Sequence, residues 1–256
     1  LLRRFRKEAG VVKRGFALVR GVVGNDDKSA TVSKAFDYGR ELGENRRVIG
    51  LLWRVVGEHG ESGDMCVASF QLLKSLAVND KACVLMDRLK VLQTIATPLL
   101  LRHQHNAVVV RAGLQFLRTL ANSDRLRQTL CTTEDGAPIR LVVSCLDRHA
   151  RDPDVCEAAC GTISNVCLRL PENARLLVNH LSAPPLLAQA MRLHPRHGPL
   201  QRAACLAARN LISRDKSLWT ALREEDIHTL AKTASEAHPK LCKDVAYALR
   251  RDAGLT

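Results

Sequence analysis

Aromatic residues are scarce: five Phe, two Tyr and two Trp stand among 256 residues. Reading single strands by base stacking needs a platform of such side chains, so that mode is disfavoured. Only 15 Gly and 9 Pro are present, against collagen-like and low-complexity classes. No run of about 18 uncharged apolar residues occurs, so no transmembrane helix is expected. The chain also lacks a G-x-x-x-x-G-K loop, a G-x-G-x-x-G after a strand, a G-x-S-x-G elbow and an H-E-x-x-H pair. No catalytic residue, metal site or cofactor is therefore assigned, and the chain reads as a non-enzyme. Acidic residues are in deficit, with 26 Asp+Glu against 39 Lys+Arg and a formal net charge of +13.

What the chain has is enough apolar content, 46%, to bury a core. Its nine cysteines are odd in number and lie mostly inside apolar helical patterns, unlike those of a short disulfide scaffold. A reducing compartment follows, and the expected localisation is cytoplasmic, with nuclear or cytoskeletal and axonemal assemblies as variants. Residue 1 is Leu, and no signal peptide is visible.

Five segments align without gaps: Val12–Val22, Cys66–Leu76, Val110–Leu120, Cys156–Val166 and Gln201–Leu211. Their penultimate residues, Gly21, Ser75, Thr119, Asn165 and Asn210, serve as anchors spaced 54, 44, 46 and 45 apart. One place after the anchor stand Val22, Leu76, Leu120, Val166 and Leu211; two before it, Val19, Leu73, Leu117, Ile163 and Ala208. Five before it stand Phe16, Phe70, Leu114, Cys160 and Cys205; six before, the small residues Gly15, Ser69, Gly113, Ala159 and Ala204. At about 100° per residue these columns share one helix face. A sixth copy, Cys242–Asp252, keeps Val245, Ala246 and Leu249 in phase and breaks at Asp252, as a capping repeat does.

Asp26, Asp80, Asp124 and Asp215 follow four anchors by five residues, with Asn173 slightly later in the other repeat. They read as N-caps of a short first helix. A longer helix then follows in each repeat, as at Arg47–Val56 or Pro138–Arg148, before the striped third helix. Three helices in about 45 residues is the armadillo pattern, and two would be HEAT. The predicted fold is thus all-α: an armadillo-type, right-handed superhelical solenoid. It is read as one domain, 1–256, of about five to six repeats, with an insertion near 31–45 around Phe36, Tyr38, Gly39 and Gly43.

The chain resembles the armadillo repeat-containing protein 6 family. The match is closest from Asp152 onward, in "DPDVCEAACGTISNVCLRLPENARLLV", "QAMRLHPRHGPLQRAACLAARNLISRD" and "AHPKLCKDVAYALRRDAG". Over residues 1–150 it rests on repeat phase and on the place of the insertion, and the family's N-terminal half has no counterpart in this sequence. The resemblance implies an armadillo fold and a protein-binding role, and supplies no catalytic residue. The importin-α branch, which reads basic peptides with Trp and Asn ladders, is a poor fit. Only Asn165 and Asn210 fill the Asn column, and Ala17, Gln71, Gln115, Gly161 and Leu206 stand in the Trp column.

His59, His103, His149, His194 and His238 form a further column at or just past the second helix of each repeat. Neighbouring helices lie roughly 10 Å apart, too far for such a column to share one metal ion. These histidines are expected to meet carbonyls of the last helical turn. Cys156, Cys160 and Cys167 lie on one helix, Cys156 and Cys160 in apolar columns, and read as small hydrophobes rather than metal ligands. The run Glu224-Glu225-Asp226 reads as charge suited to a helix entry.

The edge of the third helices carries the functional signal. One place before the anchors stand Arg20, Lys74, Arg118, Ser164, Arg209 and Arg250; eight before stand Lys13, Val67, Arg111, Glu157, Arg202 and Lys243. Nine of these twelve are basic, where scatter of 39 basic residues over the chain puts about two. Lys13, Arg20, Lys74, Arg111, Arg118, Arg202, Arg209, Lys243 and Arg250 are accordingly the candidate partner-binding residues. They form a basic concave groove for an acidic or extended segment of a protein partner. The expected role is a non-enzymatic scaffold, as a monomer or a subunit of a larger complex, with no membrane partner. The alternative is binding of nucleic acid through its phosphates. Lying off the apolar stripe, Arg111, Arg118, Arg202 and Arg209 are expected to tolerate charge reversal with little effect on folding.

Overall fold

A computed structural model of the protein describes residues 4–24 and 34–255. Among them every regular element is helical and there is no strand. The chain divides into two compact units, 1–126 and 127–256.

The first unit holds α1 (Ala9–Gly24), α2 (Ala35–Gly43), α3 (Arg46–His59), α4 (Gly63–Leu76), α5 (Asp80–Arg88), α6 (Thr97–Arg102) and α7 (Ala107–Leu120). A π-helical turn, Leu92–Ala96, leads directly into α6. α8 (Asp124–Thr132) begins at its end. The second unit continues with α9 (Ala137–Arg148), α10 (Pro153–Cys167), α11 (Pro171–Arg175), α12 (Ala183–Leu193), α13 (Gly198–Ile212), α14 (Trp219–Glu224), α15 (Ile227–Ala237) and α16 (Pro239–Asp252). A short, a longer and a third helix therefore recur, with α1, α4, α7, α10, α13 and α16 at the six aligned segments.

Four third helices, α4, α7, α10 and α13, start on a residue whose spacing matches the repeat. Ser62 Oγ accepts from the Met65 N–H at 3.4 Å, and Asn106 Oδ1 from Val108 and Val109 at 3.2 and 3.3 Å. Asp152 Oδ1 accepts from Asp154 and Val155, both at 3.0 Å, and His197 Nδ1 from Leu200 at 3.1 Å. These acceptors satisfy donors that the helix cannot satisfy internally. Only part of the predicted first-helix caps holds. Asp215 accepts from Ser217 N–H at 3.2 Å, whereas α5 is capped by Asn79, which accepts from Ala82 at 2.9 Å. Asp80 instead accepts from Ser123 Oγ. Asn173 is no cap: it is buried and donates to the carbonyls of Arg127 and Val166 at 3.1 and 2.9 Å. Asp26 lies outside the described residues.

The apolar columns form the cores of both units. Phe70, Leu73, Leu76, Leu114, Leu117 and Leu120 are buried in the first unit, where the Phe70 and Phe116 rings sit 6.2 Å apart. Cys160, Ile163, Val166, Cys205, Ala208 and Leu211 are buried in the second. The small column works by close approach: a Cβ on Gly113 would come within 2.5 Å of Leu100 Cδ2. Val22 departs from the alignment and is 47% exposed; Val12, Phe16 and Val23 hold the inner face of α1 instead. Only the last turn of α1 departs, since Val12 and Phe16 keep their columns while Val23 replaces Val22 inside.

The insertion near 31–45 contains α2; its residues 31–33 are outside the described set. Phe36 and Tyr38 on it are exposed, while Gly39 and Gly43 are buried. A side chain on Gly43 would collide with the Leu76 carbonyl, so glycine sets how closely α2 approaches the end of α4. At the passage from first to second helix stand Lys90, Asp135, Ser182 and Asp226, with φ of 55°, 54°, 51° and 57°. Left-handed backbone also occurs beside Asp135, at Glu134 and Gly136, and after α10 at Arg169.

Candidate partner surface of the third helices

The basic columns do not stand free. In the first unit α1, α4 and α7 pack side by side, and their cations reach to the next helix. Arg20 donates to Gln71 Oε1, and Lys74 donates to Gln115 Oε1 at 3.3 Å. These two glutamines occupy the same position of their helices, four before the anchor. Lys13 pairs with Asp64 at 2.6 Å in an exposed bridge. Arg111 is exposed and Arg118 half-buried on α7.

In the second unit Arg202 and Arg209 meet acidic acceptors, as Lys13 does in the first. Arg202 on α13 meets Asp244 on α16 through two bonds, 2.8 and 3.2 Å, and also donates to the Leu241 carbonyl. Arg209 donates to Asp252 at 2.8 Å. The bond from Arg202 holds the Asp244 carboxyl below the usual carboxylate range. Partial burial pushes Asp252 up, but its bonds to Arg209 and Arg251 outweigh that and leave it low. Ser164, an exception in the ladder, is buried; its Oγ and carbonyl accept from Asn210 Nδ2 at 3.0 and 2.9 Å. Asn210 thus clamps α10 to α13. At the last helix Lys243 is exposed, and Arg250 reaches the Leu255 carbonyl at 3.5 Å.

The histidine column makes contacts that differ from the expectation. For His59, His103, His194 and His238 the ring is the donor, and the acceptor lies in the turn of the preceding repeat rather than in the last turn of its own helix. His59 Nε2–H donates to the Arg6 carbonyl and His103 Nε2–H to that of Gly60, both at 2.7 Å. His194 Nε2–H donates to the Ala150 carbonyl at 2.7 Å and His238 Nε2–H to that of Pro195 at 2.8 Å. Gly60, Ala150 and Pro195 each follow a histidine of the column directly. A carbonyl only accepts, so these bonds fix the proton on Nε2.

All nine cysteines are buried and unbridged. Burial pushes the thiols up, to about 11 at Cys66, Cys83 and Cys145 and about 12 at Cys131, Cys156 and Cys205. Cys160 and Cys167, fully enclosed, are raised well above the ordinary value. Such thiols stay protonated near neutrality and pack as hydrophobes. Among the described residues no group of three or more His, Cys, Asp or Glu side chains is placed to hold a metal ion. The run Glu224-Glu225-Asp226 ends α14 rather than only opening α15. Glu225 lies 3.8 Å from Arg192, and Asp226 takes the left-handed turn with no side-chain cap.

The acceptor glutamines are the residues that the sequence reading missed. Their signal was the recurrence of Gln71 and Gln115 at one repeat position, but composition alone does not say which cation reaches them across 51 or 41 residues.

No family model matches the chain, and no curated protein matches it. Among solved structures, the crystal structure of an engineered protein from the Northeast Structural Genomics Consortium is similar to this chain. The likeness covers 92% of this chain and 96% of that one, with a TM-score of 0.70 at 14% identity. At that identity it concerns the fold alone: an all-helical chain of packed helices. No helix among the described residues is long and apolar enough to cross a membrane.

Proposed function

We propose that the chain is an armadillo-type right-handed solenoid related to the armadillo repeat-containing protein 6 family, acting as a non-enzymatic scaffold. It holds an acidic, extended segment of a partner protein against the third helices. The recurrence of capped third helices at Ser62, Asn106, Asp152 and His197 supports the repeat reading.

One observation carries the functional part. Arg20 and Lys74 are held in place by Gln71 and Gln115, which are neutral. Their positions are fixed while their charge is left uncompensated by the contact, so they remain attractive to carboxylates. Arg202 and Arg209 are different, because Asp244 and Asp252 compensate them. The binding reading therefore centres on α1, α4 and α7.

A second reading, attachment to nucleic-acid phosphates, has its own support in the second unit. A surface cavity of about 550 Å³ there is lined by Arg169, Arg209, Arg214, Lys216 and Arg251, five cations against the single carboxylate of Asp252.

Affinity purification with mass spectrometry, with and without nuclease, tests both. Protein recovery that survives nuclease and is lost with Arg20→Glu plus Lys74→Glu supports the scaffold. Recovery unchanged by that double variant defeats it, and recovery abolished by nuclease supports the phosphate reading.

A further inference from the structure

We infer that the first unit has a second docking groove, centred on Trp53, that takes an acidic peptide segment with apolar anchors from a partner protein. It shares no residue with the proposed contacts on the third helices and stands independently of them.

Indole is a costly group to leave in water, yet Trp53 is 55% exposed on α3. Arg46, Gly50, Arg54 and Gly57 lie on the same side of that helix, at helical spacing. Two surface cavities, about 470 and 600 Å³, flank the indole and share Trp53, Arg54, Thr94 and Ile95 in their walls. Their floor includes the buried side chains of Ile49, Ile95 and Leu99. A Cβ on Gly50 or Gly57 would meet nothing within 4 Å, so an incoming backbone can approach α3 on both sides of the ring. From Arg46 to Glu58 the groove follows α3 for about 18 Å at 1.5 Å per residue.

The facing wall is the π turn Leu92–Ala96, entered through the left-handed Lys90. Inserted π turns recur at functional positions, where the extra residue reshapes a helix surface.

Charge selects the occupant. Arg46, Arg54, Arg88 and Lys90 line the cavities, are exposed, and have no side-chain partner among the described residues. Glu58, the carboxylate of the rim, is already engaged by Arg6 at 2.6 Å. A segment placing carboxylates over the four cations and aliphatic side chains on either side of the indole satisfies both features. Trp and Arg are also the residue types that dominate binding energy at interfaces. A phosphate backbone would use the cations but gain nothing from the apolar floor.

The test pans a random 12-residue peptide library, displayed on mRNA, against the whole chain carrying Trp219→Phe, so that Trp53 is its single indole. The expected winners are net acidic, with apolar residues spaced three or four apart, and each shifts the Trp53 emission to the blue. Trp53→Ala, and Arg54→Glu with Arg88→Glu, each weaken them by roughly tenfold or more at unchanged helicity and unfolding midpoint. Arg20→Glu with Lys74→Glu binds them as wild type, which separates this groove from the third-helix surface. Winners without net negative charge overturn the inference. So does binding that survives both groove variants, or displacement of the peptides by an equimolar twelve-nucleotide oligothymidylate.

Discussion

Arg209 and Asp252 form an ion pair at 2.8 Å between α13 and α16, two turns beyond the doubly bonded pair of Arg202 and Asp244. Both pairs join a third helix to its successor. Reversing Arg202 and Arg209 to Glu places like charges face to face, so the expectation of unaltered folding gives way at these positions. The urea midpoint should fall, more at low salt than at high, because exposed charges are screened. Adding Asp244→Arg and Asp252→Arg should restore it. A midpoint indifferent to the first pair of changes shows that these bridges contribute nothing to the packing of α13 on α16.

Stability should fall on the alkaline side. Burial raises the cysteine thiols to about 11 or 12 in the fold, above about 8.5 in an unfolded chain. A raised folded value gives stability that is fully present below the unfolded value and is lost as pH climbs toward the folded one. Denaturation under reducing conditions should therefore show a decline between about pH 8.5 and 12 that is shallower in Cys145→Ala/Cys156→Ala. An equal slope in wild type and variant counts against buried thiols as the cause.

Asn173 should behave as a buried clamp. Asn173→Ala leaves the Arg127 and Val166 carbonyls without its two bonds, at a cost of about 1–3 kcal/mol. Asn173→Asp should be worse, since a carboxylate turns acceptors toward acceptors. Chemical denaturation measures both; a cost for Ala near zero returns the residue to the role of a replaceable cap.

Core truncation should be severe. Leu117 and Leu120 are 1% and 2% exposed, so Leu→Ala at either should cost about 2–5 kcal/mol. Val22→Ala, on the exposed side of α1, should cost less than about 0.5 kcal/mol. Equal losses at Val22 and Leu117 in urea melts contradict the exposed placing of Val22.

The left-handed junctions offer stabilisation. Ser182→Gly removes a Cβ from a residue at φ 51°, and Asp226→Gly does the same at 57°. Each should raise the unfolding midpoint, through a gain in stability of up to about 1 kcal/mol after the greater freedom of the unfolded glycine is counted. Ser182→Val should lower it. If glycine lowers the midpoint at both places, the side chains there make compensating contacts.

The third helices were legible because their stripe recurs at nearly constant spacing, and burial of Leu73, Leu117 and Leu211 is what that periodicity encodes. The caps were legible only in part. Ser62, Asn106, Asp152 and His197 share a position and a task but not a residue type, so chemistry that varies hides a column that does not. Asn173 shows the converse: a residue type common to caps and clamps, with burial deciding between them. Of the ladder, the repeating cations were visible. Their partners were not, because whether Arg20 meets a glutamine or Arg209 an aspartate depends on the offset between neighbouring helices. Trp53 gave no periodic signal, standing alone in its column.

In the four described histidine bonds the donor ring belongs to the later repeat and the acceptor carbonyl to the earlier one. The coupling thus has a polarity that matches the order of synthesis. As the chain leaves the ribosome from its N-terminal side, each imidazole arrives after the turn it bonds has been made. Consecutive repeats can be latched one at a time, with no wait for sequence still to be translated.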